Sequence, residues 1–147
     1  MTTDTHGTAE RGRQLVADAI RSRGAQVSEI RRGNLVLLEC RTGAQRIHLR
    51  VKTRTSGTWQ GSTQDGHPDP VPSRPEVFWV FVDLERPSSP KYFIAPDEWM
   101  RRDIHRAHQS YLARHGGERA ISKDSTHHAI EPRRVLQWKD RWDLFGL

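Results

Sequence analysis

The sequence predicts an α/β fold, with one sheet of about five strands flanked by helices in the order helix, three strands, strand, strand, helix, and a short helix at the C-terminal end. Three observations carry the prediction. Helical apolar spacing marks the first and last long segments, alternating or continuous apolar runs fill the middle, and Gly or Pro punctuates the junctions. At 147 residues the chain is one domain's worth, long enough to bury about two-thirds of the surface that its unfolded form exposes. A single domain over residues 9–147 is expected, preceded by a flexible N-terminal segment, residues 1–8.

The elements follow in order. "TAERGRQLVADAIRSRG" places Leu15, Val16, Ala19 and Ile20 on one helical face and stops at Gly24. "AQVSEIRR", "NLVLLEC" and "QRIHLRVKTR" read as three short strands separated by "RRGN" and "RTGAQ". "LVLLEC" is almost continuously apolar, as a mid-sheet strand covered on both faces would be. In the third strand Ile47, Leu49 and Val51 alternate with His48, Arg50 and Lys52, so one face is apolar and the other basic. Residues 55–76 hold four of the eight prolines and no periodicity. They read as a loop of about twenty residues, a length that in a compact domain is usually functional or disordered.

"VFWVFVDL" is the strongest strand, "ERPSSP" turns the chain and "KYFIA" forms a further strand. "PDEWMRRDIHRAHQSYLARHGG" opens a helix with Pro96 at its first position, has Asp97 and Glu98 in its first turn and ends at Gly116 and Gly117. After the polar stretch "SKDSTHHAIEP", the tail "RRVLQWKDRWDLFGL" sets Val135, Trp138, Trp142 and Phe145 at helical spacing, predicting a short helix docked on the core.

Composition narrows the functional classes. One cysteine, Cys40, excludes an intramolecular disulfide, and the stretch "MTTDTHGTAERGRQ" lacks the apolar core of a signal peptide, so a cytoplasmic location is expected. No run approaches the roughly 18 apolar residues of a membrane span. The net charge is +6, and its location says more than its total. From Glu10 to Arg54 eleven Lys or Arg stand against four Asp or Glu, whereas residues 55–147 balance at thirteen each. Of the 24 basic residues 20 are Arg, whose planar fork suits bidentate phosphate contact.

Such a concentrated basic region is the footprint of a nucleic-acid binder; the bland alternative is an Arg-biased solvated surface. DNA or another nucleic acid is therefore the expected partner, and a protein partner is the second candidate. Residues two apart on a strand stand about 7 Å apart on one face, so Arg50 and Lys52 suit neighbouring phosphates. Arg31, Arg32, His48 and Arg54 are further candidate contacts. Trp59 in the following loop is either a base-stacking platform or a hydrophobic lid.

The helix followed by "NLVLLECRTGAQRIHLRVKTRTSGTWQ", "FWVFVDL" and "KYFIAPDEWM" resembles the PD-(D/E)XK, or restriction-endonuclease-like, nuclease superfamily over roughly residues 9–115. In its small bacterial members a strand beginning with Asp is followed, after a turn, by a strand carrying Glu or Gln, any residue, then Lys. The resemblance implies a mixed sheet and a Mg²⁺-dependent endonuclease hydrolysing phosphodiesters. Lys52 falls on the family lysine, which positions or deprotonates the attacking water; Arg50 falls where Glu or Gln would stand; Asn34 lies nearest the family aspartate.

Two of these three positions depart from the pattern, and the departure has a physical cost. The acidic pair holds a hard divalent cation through oxygen ligands, and a guanidinium cannot ligate a metal. Glu39, Glu29, Asp65 and Asp83 are candidates for a migrated carboxylate, with Glu39 and Asp65 first, although alternation puts Glu39 on the face opposite Asn34. At about 5 Å and an effective dielectric of about 20, a divalent cation and a fixed positive charge repel by roughly 6 to 7 kcal/mol. A Mg²⁺ site built on Asn34 and Arg50 should stay empty. The catalytic candidates are thus Lys52, Asn34, Arg50 and Glu39, and the alternative is a nuclease-like fold that binds nucleic acid or a protein without cutting.

Other constellations are weaker. His105, His108 and His115 share a helix with spacings that allow a metal site, and "STHH" offers hydroxyls beside imidazoles. Solvated surface is the bland reading of both. Cys40 reads as packed and inert, and Trp138 and Trp142 as core anchors.

Overall fold

The computed structural model describes residues 5–43, 45–116 and 126–147. Within them the chain forms helices α1 (Thr5–Arg21) and α2 (Asp97–Arg114) and strands β1 (Gln26–Arg32), β2 (Leu35–Thr42), β3 (Gln45–Arg54), β4 (Trp59–Ser62), β5 (Val77–Asp83), β6 (Lys91–Pro96) and β7 (His127–Ile130). The main sheet has the order β1-β2-β3-β5-β6. β1, β2 and β3 are an antiparallel meander, β5 runs parallel to β3, and β6 returns antiparallel to β5. The fold is therefore α/β with a five-stranded mixed sheet between helices. Among the described residues no helix is long and apolar enough to cross a membrane.

α1 forms where the apolar stripe predicts it. Val16 and Ile20 are fully buried, and they meet Leu38, Leu49, Val80 and Ile94 on one face of the sheet. Gly24 takes the left-handed conformation, φ +91°, that turns the chain from α1 into β1. α1 crosses β3 so closely that a Cβ at Gly12 would overlap the Thr53 hydroxyl. The opposite face carries a second core, in which Trp79 and Phe81 of β5 and Phe93 of β6 pack with Met100 and Ile104 of α2. Asp97 and Glu98 in the first turn of α2 and Arg114 in its last complement the helix dipole.

Several expectations are corrected. α1 begins at Thr5, earlier than the apolar spacing predicts, and residues 1–4 lie outside those described. β2 lies one place from the edge and β3 takes the centre of the sheet. Pro96 is the residue before α2, not its first. Residues 55–76 contain β4 and a 3₁₀ turn, Thr63–Asp65, where a loop was expected. The polar stretch before the tail contains β7, which pairs with β4 as a separate two-stranded sheet. The tail is two 3₁₀ turns, Pro132–Trp138 and Trp142–Phe145, because Asp140 at φ +53° breaks any continuous helix between them.

The tail completes both cores. Ile130 and Val135 enter the second, while Trp142 and Phe145 enter the first, where Phe145 meets Phe78 edge-on with ring centroids 4.8 Å apart.

Candidate nucleic-acid interface

Alternation along β3 sets the site. Ile47 and Leu49 are buried toward α1 and Val51 partly so, which leaves His48, Arg50 and Lys52 half-buried on the other face. Residues paired across a ladder share a face. The pairs Arg32↔Leu35, Glu39↔His48 and Arg41↔Arg46 therefore place all of these residues with Arg50 and Lys52, away from α1. α2 covers the β5–β6 half of this face with the second core. On the β1–β3 half Leu35, Arg32, Arg41 and Arg46 are exposed, so that half lies open to solvent.

The sheet parts at the same place. The β2–β3 ladder runs from Thr42↔Gln45 only to Leu38↔Leu49. Beyond it β2 stays with β1 to Arg32↔Leu35, while β3 stays with β5 to Arg54↔Asp83. Arg50 and Lys52 stand beside the opening.

Each charge on this face has identifiable surroundings. Arg50 donates from Nη1 to Asp65 Oδ1 at 2.9 Å and from Nη2 to Asp65 Oδ2 at 3.2 Å, a bidentate pair. Its guanidinium carbon lies 4.1 Å from the centroid of the Trp79 ring. The segment carrying Asp65 is itself fastened to α2. Asp69 accepts from Arg102 Nε at 2.7 Å, His67 N donates to Arg101 O at 3.0 Å, and a Cβ at Gly66 would stand 3.0 Å from the His105 nitrogen. Burial holds the Lys52 ammonium below the ordinary lysine range; Arg50 adds repulsion, and Asp65 opposes both.

Glu39 sits among cations. Arg41 donates to Oε1 from Nε at 2.9 Å and also approaches it with Nη2 at 2.8 Å, while Arg46 Nε stands 3.7 Å away. His48 Nε2 lies 3.2 Å from Oε2, and Arg32 Nη2 lies 3.3 Å from His48 Nδ1. An arginine N–H only donates, so Nδ1 accepts and Nε2 carries the proton given to Glu39. Hydrogen bonds from Arg41 and then His48 hold the Glu39 carboxyl below the ordinary range.

The geometry brings together Arg32, Glu39, His48, Arg50, Lys52 and Asp65, and separates the rest. Arg31 pairs with Val36, on the α1 face. Arg54 is 8% exposed and is not a phosphate contact; its guanidinium donates to Asp83 at 2.9 Å and to Gly57 O at 2.8 Å. Trp59 is fully buried in the second core, donates from Nε1 to Val82 O at 2.9 Å, and so is no base-stacking platform. Asn34 is exposed in the β1–β2 turn. Arg41 and Arg46 escaped the sequence reading. Counting two residues on from Glu39 and two back from His48 finds both.

The metal expectation meets an unsuitable donor set. Glu39 and Asp65 are both held by arginines, Glu29 by Arg13 at 3.2 Å and Asp83 by Arg54. Among the described residues no group of three or more His, Cys, Asp and Glu is arranged to hold a metal ion, the α2 histidines included. Of "STHH", Ser125 lies outside the described residues, and His128 is buried with Nε2 3.0 Å from Arg134 Nη2. Cys40 is buried, and burial pushes its thiol up.

Compared with protein-family models, curated proteins and solved structures, the chain gives no significant match.

Proposed function

We propose that this protein binds nucleic acid by its phosphates on the open β1–β3 face, on a fold of the PD-(D/E)XK nuclease kind, and does so without cutting. The observation that carries this reading is the gathering of Arg32, Arg41, Arg46, Arg50 and Lys52 on one solvent-facing half of the sheet, where the carboxylates Glu39 and Asp65 are both engaged by guanidinium groups. Guanidiniums at strand spacing suit a row of phosphates, and this contact carries no sequence information. The helix-then-meander order with Lys52 on the central strand supports the nuclease-like assignment.

The competing reading is a metal-dependent endonuclease with Lys52 beside the attacking water. Its support is the lowered basicity of Lys52, which brings an amine closer to proton transfer. Binding of a labelled duplex, followed by anisotropy at two salt concentrations, tests the first reading. Affinity should fall steeply with salt through counterion release. A flat salt response removes it. Incubation of plasmid and single-stranded DNA with Mg²⁺ or Mn²⁺ separates the two readings. No cleavage is expected, and cleavage lost in Lys52→Ala establishes the endonuclease.

A further inference from the structure

A second concave site lies away from Lys52, between the C-terminal half of α2 and β7 with the turn that follows it. It is a cleft of about 440 Å³ lined by His108, Tyr111 and Arg114 of α2 and by His127 and Arg133 across from them. We infer that this cleft binds a phosphate monoester carrying an aromatic group, a mononucleotide being the simplest such molecule.

The charge arrangement selects an anion. Two carboxylates also line the cleft, but both are engaged by one residue. Arg134 donates to Asp103 Oδ2 from Nε at 3.0 Å and from Nη2 at 2.8 Å, and from Nη1 to Glu131 Oε2 at 3.2 Å. The same guanidinium bonds Ala129 O at 3.0 Å, which fixes β7 to the turn. Arg134 is thus a strut that offsets one of the two acids, and with Arg114 and Arg133 added the described Asp, Glu and Arg residues lining the cleft sum to a net charge of +1. Arg114 and Arg133 remain, exposed and in no ion pair among the described residues. Two guanidiniums on opposite walls match the two negative charges of a phosphomonoester, and their planar forks give bidentate contact. Imidazoles at His108 and His127 add polar lining.

Size and lining select the remainder of the ligand. The volume lies within the range of small-molecule sites and exceeds what a bare phosphate fills. Tyr111 lines the cleft, its ring centroid 4.2 Å from that of His115, and brings an aromatic side chain to that wall. A metal ion is the poorer occupant, since the carboxylates are engaged and no metal-holding group exists among the described residues.

The test uses the whole chain and adenosine 5′-monophosphate, with adenosine as the phosphate-free control. Calorimetric titration should give a dissociation constant of about 0.1 to 1 mM for the monophosphate and no binding of adenosine. The double variant Arg114→Ala with Arg133→Ala should weaken binding at least about tenfold. Both positions are exposed, so its melting temperature without ligand should match the wild type. Lys52→Ala should bind the monophosphate unchanged, which separates this cleft from the open sheet face. A 5′-phosphorylated oligonucleotide that binds here, where its 5′-hydroxyl counterpart does not, identifies the ligand as a strand end. Binding of the monophosphate alone identifies a free nucleotide. No binding of either at about 10 mM, or binding that survives the double variant, overturns the inference.

Discussion

Arg50 and Trp79 are partners across the parallel β3–β5 ladder, and the guanidinium of one lies over the indole of the other at 4.1 Å. The stacking face is occupied by the ring and one edge of the fork by Asp65, so the side chain is held in a single orientation. Trp79 is itself anchored, donating from Nε1 to Asp97 Oδ1 at 2.8 Å. A phosphate that approaches Arg50 therefore competes with a carboxylate for an already positioned cation.

Asp65→Asn should strengthen duplex binding about three- to tenfold at low salt, because the guanidinium then keeps its full charge for phosphate, and should steepen the salt dependence by about one counterion. Anisotropy titrations across a salt series measure both effects. Unchanged affinity and slope would mean that Arg50 does not meet the nucleic acid.

Lys52 links binding to stability with a definite sign. Burial lowers its folded-state pKa, so between the folded and unfolded values the unfolded chain holds the extra proton and stability rises with pH. Below that interval the buried ammonium is a net cost. Lys52→Met should therefore melt higher than wild type at pH 7, with the advantage narrowing as pH climbs toward the ordinary lysine value of 10.5. The same variant should bind duplex more weakly. Thermal melts at neutral and alkaline pH decide it, and a marked fall in melting temperature at pH 7 would contradict the sign.

Trp59 separates a core residue from a stacking one. It meets Phe81 and Phe93 edge-on with centroids 5.2 and 5.9 Å apart. Trp59→Ala should cost about 3 to 5 kcal/mol and Trp59→Phe clearly less. Denaturant unfolding measures the loss. Duplex affinity of the folded Trp59→Phe protein should equal wild type, and a large loss of affinity without loss of stability would return Trp59 to the interface.

Gly12 should resist the substitution that normally stabilises a helix. Gly→Ala within a helix usually gains about 1 kcal/mol. Here the added methyl meets the Thr53 side chain, so Gly12→Ala should instead lose about 1 to 3 kcal/mol. That is a fall of several degrees in melting temperature for a domain of this size. Gly12→Ala combined with Thr53→Ala should recover most of it.

The main sheet was legible because its strands carry their own signal. Val16 and Ile20 announce α1, alternation in residues 47–52 announces the two faces of β3, and "VFWVFV" announces a strand buried on both sides. β4 and β7 were not legible. Each is four residues long, and the ladder that joins them sets Trp59 opposite Ile130 across a gap of some seventy residues. Local pattern carries no trace of such a partner. The same limit hid the pairing of Arg50 with Asp65 and of Arg54 with Asp83. A run of basic residues looks uniformly available in sequence, and only the ladder register separates those turned to solvent from those locked inward.

The double duty of the tail bears on how the chain is made. Ile130 and Val135 close one core while Trp142 and Phe145 close the other, so the former is not sealed until residue 135, nor the latter until residue 145, has left the ribosome. During synthesis α1, the meander and "VFWVFV" emerge first and must wait with both cores incomplete. Folding is thereby held back until the tail has emerged, and holding chaperones at the tunnel exit gain a long window on this protein.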